Sequence, residues 1–194
     1  MVSEAKLFPT APGDNEGIMK LHLGCGDREL PGFTQCDIRP LRHADYVTSA
    51  DKLGMFESDS VDLIYACHLL EHFGRNEIER VLREWHRVLK PGGVLRLAVP
   101  DFEAVVQVYL KYRDMGLLLG LLVGRQDYLE NTHRMVFDFD LLSGLLAGVG
   151  FRNIHRYDWR ETIHKDYDDF SQAYIPAFQK TTGILVSLNM EAEK

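Results

Sequence analysis

The chain has 194 residues, of which 45% are hydrophobic and 26% are charged, and this composition is typical of one soluble globular domain with a substantial core. Lysine and arginine number 22 against 29 aspartates and glutamates, which gives a formal charge of −7. The field of the whole chain therefore repels polyanions and disfavours nucleic acid as a partner. The longest apolar run, Leu117 to Val123, is far shorter than the roughly 20 residues that a membrane helix needs. We expect no membrane association.

The three cysteines are Cys25, Cys36 and Cys67. They form no Cys-x-x-Cys pair and no histidine–cysteine cluster at metal-ligand spacing, so the sequence predicts neither a disulfide framework nor a metal site. Reduced cysteines favour a cytoplasmic location. Residues 1–18 lack the apolar stretch of a signal peptide, and we interpret them as an N-terminal arm that precedes a single domain, residues 19–194.

Short apolar stretches alternate with helical patterns in the first part of the chain, which indicates a mostly parallel sheet. The predicted strands are Met19–Leu23, Phe33–Ile38, a weaker Asp45–Thr48, Val61–Ala66 and Val94–Val99. Apolar residues at spacings of three and four predict a helix over Asn76–Lys90, which Pro91-Gly92-Gly93 should stop. The first crossover has room for one short helical turn.

The second part of the chain continues with mixed elements. In order, they are an amphipathic stretch Phe102–Tyr112, a polar segment Arg125–Arg134, a helix after Asp140 that ends at Gly150, and closing strands Phe151–Tyr157 and Ile184–Met190. No internal repeat interrupts them. We therefore expect one domain with insertions at about 102–139 and 158–182.

A glycine pair, Gly24 and Gly26, follows the first predicted strand directly. Glycines there allow a tight turn and a close approach of the backbone to a ligand. The dinucleotide fingerprint needs a third glycine where Arg28 and Glu29 stand, which argues against a nicotinamide enzyme. A plain tight turn remains the alternative at this point.

Two aspartates end neighbouring predicted strands. Asp37 ends the second strand and Asp51 follows the third, where Rossmann-like folds place acids that accept hydrogen bonds from a ribose or an adenine. Either residue alone could be a turn or cap residue. Their joint placement favours a nucleoside-binding site.

Five segments occur together in a family order. They are Leu21 to Asp27, Asp37, Asp51, the stretch Ser60 to Ile64 leading to Leu70-Glu71-His72, and Arg87 to Gly93. In this order the chain resembles the class I S-adenosylmethionine-dependent methyltransferases over about Met19 to Asp101, and it is most similar to a compact bacterial subgroup. His22 departs from the family pattern, because many members carry an acid there.

The resemblance implies an α/β fold with a Rossmann-like, doubly wound, seven-stranded sheet that is mostly parallel and has an antiparallel last strand. It implies S-adenosyl-L-methionine as cofactor and S-adenosyl-L-homocysteine as product. The implied cofactor-binding residues are Leu23, Gly24, Cys25, Gly26, Asp37, Ile38, Ala50, Asp51, Cys67 and His68. In this arrangement the glycine loop lies beneath the methionine part, Asp37 holds the ribose, Asp51 meets the adenine, and Cys67 and His68 face the sulfonium.

Methyl transfer is an in-line displacement, so the protein mainly positions a nucleophile and can remove its proton. The candidate catalytic residues are His68, His72 and His133, because imidazole acts as a base near neutral pH. Each histidine could instead serve in packing, capping or a solvated loop. Asp101 is a further candidate that could equally be a helix cap.

These observations together favour methyl transfer to a small or medium-sized acceptor, such as a hydroxyl of a glycan or metabolite. Tyr167, Phe170, Tyr174 and Phe178 suit a pocket mouth for ring-bearing acceptors, although packing explains such a cluster as well. The alternatives are a non-catalytic S-adenosylmethionine-binding or regulatory module and a nucleotide-dependent oxidoreductase or epimerase. The sequence also leaves a homodimer open.

Overall fold

The computed structural model describes residues 17–194, so the predicted N-terminal arm lies outside the described residues except for its last two. No helix within residues 17–194 combines the length and the apolar character that crossing a membrane would require. The strands are β1 Lys20–Leu23, β2 Thr34–Asp37, β3 Tyr46–Val47, β4 Val61–Cys67, β5 Leu89–Pro100, β6 Arg152–Arg156, β7 Tyr174–Ile175, β8 Ile184–Leu185 and β9 Ser187–Glu193. The α-helices are α1 Ile78–Val88, α2 Phe102–Tyr112, α3 Leu119–Val123 and α4 Phe139–Val149.

Seven strands form one sheet in the order β3-β2-β1-β4-β5-β9-β6, and β7 pairs with β8 in a small separate sheet. Strand β9 lies between β5 and β6 and runs antiparallel to both, whereas the other pairings of the seven-stranded sheet are parallel. The predicted α/β class, the seven strands and the antiparallel last strand are therefore confirmed.

One face of the sheet is apolar. Leu21, Ile64, Leu95 and Ala192 are cross-strand partners in a single row, and all four belong to the main hydrophobic cluster. Helices α1 and α4 bury their apolar sides against this cluster. The apolar residues whose spacing of three and four predicts α1 are thus the residues that the helix buries against the sheet.

The opposite face carries a polar row. Gln35, His22, Tyr65, Arg96 and Glu191 are successive cross-strand partners, so their side chains lie on one face. Nδ1 of His22 lies 2.9 Å from Oε1 of Gln35, and Nη2 of Arg96 lies 2.7 Å from the carboxylate of Glu191. We call this row the polar face, and His22, which departs from the family pattern, is part of it.

Residues 158–182 cover the polar face and contain no α-helix. Oη of Tyr65 donates to Oδ2 of Asp169 at 2.6 Å, and the ring of His164 packs on Tyr65 with centroids 4.2 Å apart. Nδ2 of Asn189 donates to the carbonyl of Ser171 at 2.8 Å. The second predicted insertion therefore does the covering that a crossover helix usually does.

Two turn regions differ from the prediction. The crossover from β1 to β2 contains turns and no helix. Pro91-Gly92-Gly93 lies inside β5 and not after a helix end, because α1 already stops at Val88, one residue before the strand begins. The strand register shifts here, since Val61 pairs with Leu89 but Leu63 pairs with Val94. This bulge leaves the proline, which has no N–H to donate, outside the regular hydrogen-bond ladder.

The predicted closing strand Ile184–Met190 is divided into β8 and β9 at Val186. The Val186 N–H donates to the carbonyl of Ala173 at 2.9 Å, and its own carbonyl accepts from the N–H of Asp101 at 3.0 Å. Val186 thus moves the chain from the small sheet to the main sheet, a change that a continuous apolar pattern does not reveal.

Candidate active site

A cavity of about 1290 Å³ opens at the carboxyl ends of β1, β2 and β4. All of the predicted cofactor-binding residues line it except Leu23, which is fully buried in the main cluster. Residues from both insertions complete the wall, among them Tyr128, Thr132, Tyr167 and Phe170. The site is therefore shared between the strand ends and the two insertions.

The glycine loop adopts a conformation that favours glycine. Gly24 has φ +64° and Gly26 has φ +61°, in the left-handed region. A Cβ at Gly24 would also lie 2.8 Å from Cδ1 of Leu69, whereas a Cβ at Gly26 would meet nothing closer than 3.9 Å. Gly24 is thus required by both space and backbone angle, and Gly26 by backbone angle.

Asp37 anchors this loop from the next strand. Its Oδ2 accepts a hydrogen bond from the N–H of Gly26 at 2.9 Å. Its Oδ1 accepts from the N–H and Nε of Arg39, at 2.9 and 3.2 Å. Arg39 also pairs with Asp27 at 3.2 Å, and its guanidinium lies 5.4 Å from the ring centroid of Tyr128. The Asp37 carboxylate is held in place and keeps one acceptor position on Oδ2.

Asp51 is also held, on the far side of the cavity. Although burial opposes its ionisation, hydrogen bonds from Ser49 and Arg80 lower the pKa of Asp51. The neighbouring Ala50 also lines the cavity, and its carbonyl accepts a hydrogen bond from Nε1 of the buried Trp85 at 2.8 Å. Helix α1 therefore fixes this edge of the site through two contacts.

Three partly buried histidines surround the buried Glu71. His68, Glu71 and His72 follow the end of β4, and His133 comes from the first insertion; we call these four residues the His–Glu cluster. Glu71 is fully buried, and neither of its carboxylate oxygens accepts a hydrogen bond from any described residue. Burial raises the pKa of Glu71 to about 8. Nδ1 of His68 lies 3.4 Å from Oε1 of Glu71, and Nε2 of His133 lies 3.9 Å from the same oxygen.

His68 has an unusual backbone. Its φ of +50° is in the left-handed region, which non-glycine residues populate sparsely. Its ring lies against Phe170 with centroids 5.1 Å apart. Burial, with smaller contributions from His133 and His72, lowers the pKa of His68 to about 3. His68 is therefore a neutral and weakly basic imidazole in this environment.

His72 and His133 contact each other with ring centroids 4.9 Å apart. Nδ1 of His72 lies 3.2 Å from the carbonyl of Thr132, and Nδ1 of His133 lies 2.9 Å from the carbonyl of Leu121. Burial lowers the pKa of both histidines. His72 lines the cavity, whereas His133 lies immediately behind it.

Part of the chain is similar in sequence to known methyltransferases. A family model of a methyltransferase domain matches residues 33–97. A ubiquinone/menaquinone biosynthesis C-methyltransferase from Cronobacter sakazakii is 34% identical over 100 residues, which are 46% of this chain and 40% of that protein. A sterol 24-C-methyltransferase from Debaryomyces hansenii is 34% identical over 104 residues, 41% of this chain and 27% of that protein. The chain spans less than half the length of these curated relatives.

Solved structures agree in fold. A methyltransferase from Archaeoglobus fulgidus matches with a TM-score of 0.57 and 14% identity, over 92% of this chain and 87% of that one. The 1,6-didemethyltoxoflavin-N1-methyltransferase of Burkholderia thailandensis, solved with S-adenosylhomocysteine, matches with a TM-score of 0.56 and 15% identity, over 91% and 70%. The chain therefore has the fold of these methyltransferases, and residues 33–97 match a methyltransferase domain in sequence.

The cavity fits S-adenosylmethionine, the cofactor of the methyltransferases that share this fold. The glycine loop provides backbone that a ligand can approach closely, and Asp37 keeps an acceptor position for a ribose hydroxyl. Asp51 and Ala50 border the cavity at the next strand end, and Cys67 lines it at the end of β4. The individual residue roles taken from the resemblance remain predictions, and Leu23 can contribute only through its backbone.

The structure gives the other predicted residues distinct positions. Asp101 accepts from the N–H of Glu103 at 3.0 Å and pairs with Arg156 at 3.0 Å, so it caps α2. All four predicted aromatic residues of the second insertion line the cavity. Sequence reasoning misses Arg39 and Glu71. No motif marks Arg39, and in the family-like segment Leu70-Glu71-His72 only His72 has a predicted role.

Proposed function

We propose that this chain transfers the methyl group of S-adenosylmethionine to a small or medium-sized acceptor. The observation that carries the proposal is the convergence of the glycine loop, Asp37, Asp51 and Cys67 on one cavity in a class I methyltransferase fold. Because the chain spans less than half the length of the curated relatives, methyl transfer must be measured on this protein itself.

The bound cofactor supplies a methyl group on a sulfonium, an electrophile that accepts an in-line nucleophile. The chain's part is then to bind and orient. Asp37 holds the glycine loop, Phe170 lies against His68, and residues of both insertions, Tyr167 among them, form part of the cavity wall. His72, with a ring nitrogen left free of the Thr132 carbonyl, is placed to receive a proton from an acceptor.

We propose an acceptor that carries a ring, such as a sugar or an aromatic metabolite, methylated at a hydroxyl. Tyr128, Tyr167 and Phe170 on the cavity wall support this choice, because aromatic faces pack on ring-bearing ligands. Carbon methylation is the main rival, since the two curated relatives named above are C-methyltransferases.

Two experiments test the proposal. Isothermal calorimetry of the full chain with S-adenosylhomocysteine should give saturable binding, which Gly24→Arg should abolish because the new side chain enters the loop beside Leu69. A screen of metabolite and glycan fractions with radiolabelled methyl donor should then yield a labelled product, whose analysis distinguishes oxygen from carbon. Absence of S-adenosylhomocysteine binding would overturn the proposal; binding with no transfer to any fraction would favour the non-catalytic module.

A further inference from the structure

The His–Glu cluster has the composition of a metal site. Glu71, His72 and His133 each offer one ligand atom, and these three atoms lie within 4.8 Å of one another. We propose that these residues bind one divalent transition-metal ion. The three residues come from two separate parts of the chain, so their proximity is produced by the fold.

The carboxylate of Glu71 is the strongest argument. It is fully buried, and no described residue donates a hydrogen bond to either oxygen. A buried polar group without a partner is costly, and such groups in native proteins are expected to have an explanation. A cation bound by the carboxylate supplies the missing partner. The rings of His68 and His133 approach Oε1 to 3.4 and 3.9 Å without donating a hydrogen bond to it.

Hydrogen bonds fix the orientation of both histidine ligands. Nδ1 of His72 faces the Thr132 carbonyl, and Nδ1 of His133 faces the Leu121 carbonyl. A carbonyl only accepts hydrogen bonds, so each Nδ1 carries the proton and each Nε2 keeps its lone pair. Metal-binding histidines commonly donate their second ring N–H to such an acceptor. Both rings are therefore prepared for coordination through Nε2.

The backbone around the cluster is tied down in the same way. The carbonyl of Glu71 accepts from the N–H groups of Arg134 and Met135 at 2.8 and 3.1 Å, and the N–H of His133 donates to Val123. Gly124 lets the end of α3 approach this loop, since a Cβ there would lie 2.9 Å from Cδ2 of His133. The position of His133 is thus set by main-chain contacts on both sides.

The ligand set favours a particular class of ion. Two imidazoles and one carboxylate suit zinc, iron, manganese or cobalt, whereas magnesium and calcium prefer oxygen ligands. In a tetrahedral site with metal–ligand bonds of about 2.1 Å, the ligand atoms lie roughly 3.4 Å from one another. The three ligand atoms already lie within 4.8 Å of one another, so small side-chain movements complete the site. His68 is near enough to Glu71 to serve as a fourth ligand.

The site opens toward the cavity on the side of His72 and His68, which both line it. An ion there leaves coordination positions for a ligand in the cavity. This next step rests on the proposed function: the acceptor would present an oxygen to the ion, which would lower the pKa of that hydroxyl. The oxygen would attack the methyl carbon, the electrons of the carbon–sulfur bond would stay on sulfur, and the hydroxyl proton would leave to solvent. His72 would not receive this proton while it is a metal ligand, so the ion would take over the role that His72 has without metal.

Metal binding is testable without any acceptor. Full-length protein without a histidine tag is stripped with a chelator, and Co²⁺ or Zn²⁺ is titrated while absorption, heat and metal content after desalting are recorded. We expect one ion per chain and a visible cobalt spectrum without a sulfur-to-metal charge-transfer band, which excludes ligation by the three cysteines. Glu71→Gln, nearly identical in size, and His133→Ala should each weaken the affinity at least tenfold.

His155→Ala is the matched control, because His155 is exposed on β6 and should leave metal affinity unchanged. Circular dichroism shows whether each variant is folded; if His133→Ala is unfolded, Glu71→Gln alone decides. The inference is overturned if the wild type binds no ion or if Glu71→Gln binds as tightly as the wild type. S-adenosylhomocysteine calorimetry on the same preparations separates the two proposals: cofactor binding without metal removes only the metal site, and metal binding without cofactor removes only the methyltransferase function.

Discussion

Replacement of Asp37 tests the assignment of the ribose site. Its carboxylate provides about four acceptor positions, and Gly26 and Arg39 occupy three of them. One ribose hydroxyl can therefore bond to Oδ2. Loss of a hydrogen bond to a charged group costs about 1.5–3 kcal/mol, so Asp37→Ala should weaken S-adenosylhomocysteine binding about 10- to 150-fold. The variant also loses the hydrogen bond that the Gly26 N–H donates to Asp37, which frees the glycine loop, so the loss of affinity should lie in the upper part of this range.

Calorimetry with S-adenosylhomocysteine measures this change, and thermal melting confirms that the variant is folded. Asp27→Ala is the control, because Asp27 pairs with the same Arg39 but its side chain is 81% exposed; its effect should stay below about twofold, as exposed ion pairs contribute little. Asp37→Asn adds a second check, since its NH₂ must face either the Gly26 or the Arg39 donors and should also weaken binding. Unchanged affinity in folded Asp37→Ala, or an equal loss in Asp27→Ala, would refute the assignment.

Three further outcomes follow from the structure. Gly24→Ala should destabilise the chain by at least about 1–2 kcal/mol in urea unfolding, because of its positive φ and the contact of the new Cβ with a leucine; an unchanged midpoint would contradict this. Burial, aided by a nearby arginine, lowers the pKa of His164 to about 4, so the unfolded chain binds its proton first and stability falls as the pH drops from about 6.5 to about 4. The wild type should lose on the order of 3 kcal/mol more than His164→Gln over this range, whereas His155→Gln at an exposed site should behave like the wild type. Trp85→Phe removes the indole bond to a carbonyl at the cavity edge and should cost about 1–3 kcal/mol in the same assay; equal stability would show that this bond contributes nothing.

The sequence predicts the elements on the apolar face of the sheet well, because the spacing of apolar residues along each element follows from which side of it is buried. The spacing of apolar residues in α1 and the short strand runs follow directly from burial against one sheet face. The strand ends are predictable for the same reason, so the glycine loop, Asp37 and Asp51 are found on the cavity as expected.

The polar face and the His–Glu cluster cannot be predicted from the spacing of residues within one element. His22 stands out only as a departure from the family until Gln35 and Tyr65 are placed beside it. Glu71 and His133 are 62 residues apart in sequence by their numbering and meet only because the 125–134 segment folds back on the end of β4. Contacts between residues so far apart in the chain produce no regular pattern in the sequence.

The way residues 158–182 are attached has a consequence for how the molecule opens. None of these residues joins the main hydrophobic cluster, and only Ala173 and Ile175, near the end of the segment, pack against a smaller one. The contacts with the polar face are hydrogen bonds and aromatic contacts such as those of Asp169 and His164 with Tyr65. Segments with few apolar contacts open at a lower free energy than the core. Amide hydrogens of this segment should therefore exchange with solvent through local opening, while those of β1, β4 and β5 exchange only when the whole domain unfolds. Because Tyr167 and Phe170 form part of the cavity wall, the same local opening provides a passage for acceptor and product that leaves the core intact.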